Sequence, residues 1–254
     1  PQVRMLRVAT WNIHGGVGRD GRYDAARILG VLQQLGADVI ALQEVASLAV
    51  HNGLLGELRE GLGLHAIGAR TLTRRESEYG NALLSRFPLT RNTSIALTVG
   101  AHEPRNAIDA HLDVDGRELR VVTTHLGLRP AERRIQVQTI LRAIDQRPDI
   151  PTVMMGDVNE WYLWGRPLRW LHARFGTSPS PRTFPAMRPL FALDRIWTHP
   201  AELLHKVAAH RSDLARQASD HLPVVGEVAW LAPGSEAAHT LSPRPARDGF
   251  SQAS

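Results

Sequence analysis

The alternation of apolar and polar stretches along the chain predicts a strand-loop-helix-strand opening. Residues 6–11 (LRVATW) and 38–43 (DVIALQ) are short, nearly continuous apolar runs, which are typical of buried strands. Between them, apolar residues recur at helical spacing over residues 26–35, with Asp24 as the predicted N-cap and Gly36 as the stop. This opening favours a sheet that is covered by helices.

Shorter strands and two further helices are predicted in the rest of the chain. The predicted strands cover residues 81–85, 94–99, 107–114, 119–124, 151–155, 193–198, 203–208 and 222–229. The pair Asp115-Gly116 is typical of a hairpin turn. One helix is predicted at 130–144, with Pro in its first turn, and another at 164–175, interrupted by Pro167.

Composition sets the broad class of the protein. The chain has 254 residues, 43% of them apolar, and no run approaches the roughly 18–20 apolar residues of a membrane span. We expect a cytoplasmic location, because the basic start of the chain has no apolar signal-peptide core, and we also expect a monomer. The absence of cysteine excludes disulfides, thiolate nucleophiles and cysteine-type zinc sites. A net charge of +5, supplied almost entirely by arginine, fits an anionic substrate.

Polar residues recur where the predicted strands begin or end. A single Asp, Asn or His at such a place is usually a turn or structural residue, but a whole set is harder to dismiss. The set is Asn12, Glu44, His125, Asp157, Asn159, Asp194, Asp220 and His221. A carboxylate beside an amide oxygen suits Mg²⁺, a further carboxylate can activate water, and histidines can donate hydrogen bonds to a phosphoryl oxygen.

Seven short strings turn this set into a family resemblance. TWNIHGG, LQEV, YGNALLSR, TTHLG, GDVNEW, LDRIW and SDHLPV occur in this order between residues 6 and 229. They resemble the successive motifs of the endonuclease/exonuclease/phosphatase superfamily, and the chain looks like a small bacterial member of its deoxyribonuclease and sphingomyelinase-like branch. The resemblance implies an α/β fold, a four-layer sandwich in which two mixed β-sheets pack face to face with helices outside.

The resemblance also implies a role for each motif residue. Glu44 is similar to the metal carboxylate, Asn12 to its neighbour that supports the metal or the phosphate, and Asp220 to an auxiliary metal-site carboxylate. Asp157 resembles the residue that orients and deprotonates the attacking water, and Asn159 the amide that holds that geometry.

Two histidines resemble groups that stabilise the transition state. His221 is expected to be oriented by Asp194. His125 resembles the second histidine of the deoxyribonuclease and sphingomyelinase branches, with Glu78 as its expected partner. Apurinic-site endonucleases carry another residue at that place and LQETK instead of LQEV, which disfavours that branch.

The implied activity is Mg²⁺-dependent hydrolysis of a phosphoester, most simply a phosphodiester, with Mn²⁺ as a possible substitute. The resemblance implies a nucleic acid or a phospholipid-type diester as the substrate. Arg105, Phe184 and Trp161 are the candidate substrate-binding residues. A solvated arginine and a packed aromatic cluster are the structural alternatives for Arg105 and Trp161.

Two competing functions remain open at the level of sequence. Gly16, Gly18 and Gly21 form a G-x-G-x-x-G pattern between a predicted strand and helix, which is typical of dinucleotide binding. Asn12 and His14 displace that turn from the strand, and the pattern leaves six other strings unexplained. A catalytically inactive relative that binds phosphorylated ligands is the second alternative, although every core residue is present.

The last stretch of the chain is predicted to be dispensable. Periodicity is lost from Leu231 onward, so we predict a domain over residues 1–230 and a disordered tail over 231–254. Deleting residues 231–254 should leave turnover and melting temperature nearly unchanged, measured by a phosphodiester assay and thermal denaturation. A large loss of stability would mean that the tail docks on the domain.

Overall fold

The computed structural model describes residues 3–49, 51, 53–74 and 77–231. The strands are β1 (Val3–Asn12), β2 (Val39–Val45), β3 (His65–Arg74), β4 (Ser77–Ser85), β5 (Leu89–Ala96), β6 (Asn106–Val114), β7 (Arg117–His125), β8 (Thr152–Asp157), β9 (Asp194–His199), β10 (Leu204–Ala209) and β11 (Val224–Leu231). The α-helices are α1 (Ala25–Leu35), α2 (Leu54–Leu62), α3 (Pro130–Asp145), α4 (Arg166–Phe175) and α5 (Asp213–Ala218). No helix in these ranges is long and apolar enough to cross a membrane.

The strands form two mixed sheets. The first has the order β10-β11-β1-β2-β4-β3, and the second has the order β5-β6-β7-β8-β9. In each sheet one central pair is parallel, β1 with β2 and β7 with β8, and the other neighbours are antiparallel. The parallel pairs matter for the site, because the carboxyl ends of their strands meet at one edge of each sheet.

Three apolar layers hold the sheets and helices together. Leu6, Val8, Val153 and Met155 belong to the layer between the two sheets. The first sheet packs its other face on α1, α2 and α5, and the second sheet packs its outer face on α3 and α4. The predicted four-layer α/β sandwich is therefore confirmed.

The period of two along β1 explains why a polar site forms at its end. Leu6 and Val8 face the second sheet, whereas Ala9 and Trp11 face the helices. Thr10 and Asn12 continue the inner row and are buried. Gln43 bonds to Thr10 and donates to the Thr123 hydroxyl of the second sheet at 3.4 Å. The inner layer thus changes from apolar to polar towards the carboxyl end of β1.

The local predictions at α1 hold in the structure, whereas those at α4 and β5 differ from it. Asp24 caps α1 by accepting from the Arg27 amide at 2.9 Å, and Gly36 ends the helix in the left-handed conformation. Pro167 does not interrupt a helix, as the sequence had suggested, because it lies in the first turn of α4. The strand predicted at 94–99 is also displaced, since β5 ends at Ala96.

Three elements of the structure, β3, α2 and α5, were not predicted from the sequence. The strand β3 lies at the edge of its sheet, and its residues are mostly half-exposed, so apolar alternation is weak. The helix α5 has 6 residues, too few for a helical period to appear. The helix α2 follows Gly53, which has no side chain to cap it.

The two ends of the described chain pair with each other. Val3 of β1 lies opposite Leu231 of β11. The Trp230 indole is buried and donates to the Val114 carbonyl at 3.2 Å, so β11 packs through the predicted domain boundary. The predicted tail otherwise lies outside the described residues and stays a prediction.

The glycine-rich loop is occupied by the protein itself. The Arg19 amide donates to the Gln217 carbonyl of α5 at 3.0 Å, and the Arg27 side chain fills the space beside Gly18. A dinucleotide phosphate would need this space, so the loop geometry disfavours the dinucleotide-binding alternative.

A buried ion pair connects α3 to the two loops that follow β7 and β8. Arg133 contacts both carboxylate oxygens of Glu160 at 3.3 Å, and the two side chains are 1% and 2% exposed. The same guanidinium donates to the Leu128 carbonyl at 2.6 Å, and Glu160 accepts from the Tyr162 amide at 3.2 Å. One pair therefore fixes the loops that follow β7 and β8.

Removing one partner of this pair should destabilise the fold strongly. Arg133→Met leaves Glu160 buried without its cation, and we expect a loss of about 3–5 kcal/mol in unfolding free energy, measured by urea titration. The double variant Arg133→Met with Glu160→Leu should recover part of that loss. Lys206→Met is the control, since its pair with Glu227 is exposed and should contribute less than about 1 kcal/mol. Equal losses of unfolding free energy in Arg133→Met and Lys206→Met would contradict this role.

Candidate active site

Three predicted site residues stand in one row across the second sheet. His125 of β7 pairs with Asp157 of β8, and Asp157 pairs with Asp194 of β9. The row continues the inner face of the sheet, because Met155 and Ile196 point into the layer between the sheets. The three side chains therefore lie side by side at the end of the inter-sheet core, and all are buried.

The first sheet contributes Asn12 and Glu44 to the same place. Strict alternation along β2 would turn Glu44 towards the helices, since Gln43 faces inward. Instead, the register of β2 with β4 shifts between Leu42 and Val45, and Glu44 has a φ of 57°. A bulge of this kind redirects a side chain, and here it brings Glu44 to Asn12.

The Asn12 amide group joins carboxylates from the two sheets. Its Nδ2 donates to Glu44 Oε1 at 3.0 Å and to Asp157 Oδ2 at 3.1 Å. Its Oδ1 accepts from the His14 backbone amide at 3.0 Å, and this contact fixes which end of the amide faces the carboxylates. The geometry favours Asn12 as a group that positions Glu44 and Asp157.

Backbone constraints fix Asp157 in the GDVN motif. Gly156 has a φ of 151°, and a Cβ at this position would stand 2.0 Å from the Thr124 carbonyl oxygen, so the close approach of β7 and β8 requires glycine. Asn159 donates its backbone amide to Asp157 Oδ1 at 3.0 Å and its side chain to the Leu126 carbonyl at 2.8 Å. Asn159 therefore holds the Asp157 carboxylate and the loop after β7.

His221 and Asp194 are in direct contact. His221 Nδ1 donates to Asp194 Oδ2 at 2.8 Å, and the Thr183 hydroxyl donates to the same oxygen at 2.6 Å. The Trp11 indole donates to the His221 carbonyl at 2.9 Å. These bonds leave His221 Nε2 directed at Asp157, 3.8 Å from Oδ2.

His125 has a different partner from the one that the sequence suggested. Arg105 Nη1 lies 2.9 Å from His125 Nδ1 and can act there as a donor alone, so the ring nitrogen accepts. The proton of the neutral ring is then on Nε2, 3.6 Å from Asp157 Oδ2. The expected partner, Glu78, instead pairs with Arg70 at 3.4 Å.

The Glu44 carboxylate is held in its ionised form. Burial by itself would raise the pKa of Glu44, but His125, the Tyr79 hydroxyl and the Asn12 amide lower it to about 2. The contribution of His125 needs a protonated ring, which is scarce near neutral pH. The two hydrogen bonds are therefore the lasting cause, and the Tyr79 hydroxyl donates at 2.7 Å.

The two histidines differ in charge. Burial, the Arg105 guanidinium and His221 lower the pKa of His125 to about 3, although Glu44 opposes this. Burial alone would lower the pKa of His221 as well, but Asp194 and Asp157 raise it to about 10. At neutral pH the site thus presents one neutral and one cationic imidazole.

Asp157 lies between these groups and is a candidate proton acceptor. Burial and the nearby Asp194 raise its pKa, while His221 and the hydrogen bonds from Asn12 and Asn159 lower it. The pKa of Asp157 is above its ordinary value as a result. A carboxylate with a raised pKa binds a proton more readily, which suits a general base.

These residues surround a cavity of about 260 Å³. Its walls include the predicted residues Asn12, Glu44, Arg105, His125, Asp157, Asn159, Trp161, Phe184 and His221. Asp194 is fully buried behind His221. Asp220 is not brought into the cavity wall, and its carboxylate accepts from the Ser219 hydroxyl at 3.4 Å.

Several contributors escaped the sequence reasoning. Tyr79 lies within the YGNALLSR string, and Thr183 directly precedes the candidate residue Phe184, so both stand beside residues that the sequence had singled out. Glu103 and Leu128 also line the cavity, but they lie in loops without periodicity. Such residues gave no signal, because their position depends on how the loops fold back.

The donor set fits a hard divalent cation better at Glu44 than elsewhere. Ligand atoms of Asp157, Asp194 and His221 lie within 4.8 Å of one another, so this buried group could also hold a metal. However, His221 Nδ1 and Asp194 Oδ2 are engaged with each other, and Asp194 is fully buried. Mg²⁺ prefers oxygen ligands and keeps several waters, which suits the half-buried Glu44 carboxylate at the cavity wall.

Known proteins resemble this chain in sequence and fold. The model of the Endonuclease/Exonuclease/phosphatase family matches residues 9–221. The uncharacterized protein YbhP of Escherichia coli K12 is 28% identical over 248 residues, covering 89% of this chain and 97% of its own. A family structure from Bacteroides vulgatus has a TM-score of 0.73 at 20% identity, covering 90% and 99% of the two chains. The human nocturnin catalytic domain with bound sulfate anion has a TM-score of 0.69 at 21% identity, covering 88% and 93%.

The fold and the site define an α/β sandwich with paired carboxylates and histidines at one end. The chain belongs to the endonuclease/exonuclease/phosphatase family. Members of this family are generally phosphoester hydrolases that use divalent metals and act on phosphorylated substrates such as nucleic acids.

The different charge states of the two histidines can be tested directly. In the protein with EDTA at pH 8, ¹⁵N chemical shifts should report His221 as doubly protonated and His125 as neutral with its proton on Nε2. Asp194→Asn should lower the pKa of His221, because burial disfavours the charged ring and the Asp194 carboxylate that offsets this effect is lost. Asp145→Asn, at an exposed carboxylate, should change neither ring. A neutral His221 at pH 8 would contradict the role given to Asp194.

Proposed function

We propose that this protein is a Mg²⁺-dependent hydrolase of phosphodiester bonds, with Mn²⁺ as a working substitute. The observation that carries the proposal is the convergence of Glu44, Asp157, a neutral His125 and a cationic His221 on one cavity. The substrate class is a nucleic acid or a phospholipid-type diester.

Asp157 supplies the base. Its Oδ1 is held by the Asn159 amide and its Oδ2 by the Asn12 amide, so the carboxylate is fixed while it faces the cavity. A water oxygen attacks phosphorus, and its proton passes to Asp157. The bond from phosphorus to the leaving oxygen breaks, and the leaving oxygen keeps the electron pair. The raised pKa of Asp157 supports this assignment.

The two histidines stabilise the charge that develops on the phosphoryl oxygens. The His221 cation is held by Asp194, so it contributes charge, whereas the neutral His125 contributes an Nε2 hydrogen-bond donor. Arg105 fixes the His125 ring and keeps an Nε donor without a hydrogen-bond partner within the described residues.

Glu44 is the proposed metal carboxylate, oriented by Tyr79 and Asn12. When bound there, Mg²⁺ supplies Lewis-acid polarisation of the phosphoryl group and neutralises part of its charge. Asp220, predicted as an auxiliary metal-site carboxylate, remains a weaker candidate because it lies outside the cavity wall. The monomeric state and the cytoplasmic location stay predictions, which light scattering and cell fractionation can test.

Turnover of bis-p-nitrophenyl phosphate tests the proposal. EDTA should abolish activity, and Mg²⁺ or Mn²⁺ should restore it. Glu44→Gln should raise the metal concentration needed for half-maximal rate, since the ligand charge is lost. Asp157→Asn should lower kcat by about two to four orders of magnitude, because the base is removed.

The exposed variant Asp145→Asn is the matched control and should retain wild-type turnover and metal dependence. Normal turnover by Asp157→Asn would mean that another group activates the water. If the folded wild-type protein binds phosphorylated ligands but hydrolyses no ester from a panel of DNA, RNA, phosphatidylglycerol and sphingomyelin, the inactive alternative would replace this proposal.

A further inference from the structure

Exposed apolar side chains collect on three loops around the cavity. We call Leu128, Tyr162, Leu163, Trp164, Met187 and Leu190 the apolar rim. Leu163 is 66% exposed and Trp164 is 73% exposed, values that are unusual for large apolar residues. Among the described residues, the exposed large apolar side chains outside these loops are scattered, namely Val3, Met5, Tyr23 and Ile135.

Contacts connect the rim to the cavity wall. Leu128 and Trp161 both line the cavity. The Trp161 ring packs edge-on against Phe184 and Phe191, with centroids 5.7 and 4.8 Å apart. Tyr162 follows Trp161, and its ring centroid lies 5.5 Å from that of Trp164. Leu190 donates its backbone amide to the Phe184 carbonyl at 2.8 Å, so the loop between α4 and β9 joins the same surface.

The loops hold the rim in an exposed position. The buried Arg133–Glu160 pair fixes two of these loops, because Arg133 donates to the Leu128 carbonyl and Glu160 accepts from the Tyr162 amide. Arg216 donates to the Met187 carbonyl at 3.1 Å. The rim side chains therefore stay in water on an ordered backbone, and clusters of exposed apolar residues mark interaction sites.

The exposed charges on the rim loops themselves are all positive. Within residues 158–170 and 181–192, every exposed charged residue is an arginine: Arg166, Arg169, Arg182 and Arg188. Arg129 follows Leu128 on the loop after β7 and is also exposed. Glu160 is buried against Arg133, and Glu103, which shares a pocket with Leu128, is paired with Arg105 at 3.6 Å. The surface complements an anionic partner.

We propose that the apolar rim docks on the surface of an anionic phospholipid bilayer, with the cavity mouth facing the headgroups. Tryptophan and tyrosine favour the membrane interface, and arginines beside them bind lipid phosphates. Single-stranded nucleic acid would also stack on Trp164, but it gains little from the aliphatic Leu163, Met187 and Leu190. The mixture of aromatic and aliphatic side chains therefore favours lipid. Docking needs no turnover, so it goes beyond the proposed hydrolysis.

Vesicle flotation in EDTA tests docking without hydrolysis. The full chain should bind vesicles of phosphatidylglycerol and phosphatidylcholine more tightly than pure phosphatidylcholine, and added salt should weaken this binding. Leu163→Ser and Trp164→Ser should each weaken binding by about tenfold or more, since each removes a large apolar contact. Arg166→Gln with Arg188→Gln should remove most of the preference for anionic lipid.

Ile135→Ser is the matched control, because Ile135 is 49% exposed on α3, outside the rim loops. It should change vesicle binding less than twofold, and circular dichroism should show the same fold in all variants. Absence of vesicle binding by the wild-type protein would overturn the proposal. So would tight binding of a single-stranded oligonucleotide that depends on Trp164 but not on Leu163. A wild-type protein that binds vesicles without hydrolysing bis-p-nitrophenyl phosphate would support docking and count against the proposed hydrolysis alone.

Discussion

The hydrogen bonds of one buried amide group link the two sheets where the site forms. Asn12 belongs to the first sheet, and its side chain contacts Glu44 of the same sheet and Asp157 of the other. Apolar packing holds the sheets together along most of their length, but it does not specify a register between them. The polar layer of Thr10, Gln43 and Thr123 below Asn12 adds directional contacts between the sheets.

The chemical difference between the two histidines arises from their partners. A guanidinium on Nδ1 makes His125 an acceptor there, whereas a carboxylate on Nδ1 makes His221 a donor. Both rings direct Nε2 towards Asp157, yet one is neutral and the other is charged. Two identical side chains can therefore serve one phosphoryl group in different ways.

The sequence was informative where a residue's role follows from its strand position. His125, Asp157 and Asp194 end or begin strands whose inner faces are apolar, so the period of two places them together. The contact of Asp194 with His221 came from the family resemblance, because nothing local connects them. The displacement of Glu44 onto the inner face depends on a bulge against β4. The pairing of Arg105 with His125 depends on a loop, and neither contact leaves a periodic trace in the sequence.

The pairing of Val3 with Leu231 places the two ends of the described domain side by side on neighbouring strands. The strand β1 has 10 residues from Val3 to Asn12, both included, which corresponds to about 30 Å of extended chain. Both ends of the described domain therefore leave from the edge opposite the cavity mouth. A reporter domain fused at either end would stand clear of the substrate, and a short linker could join the ends while a surface loop is opened elsewhere.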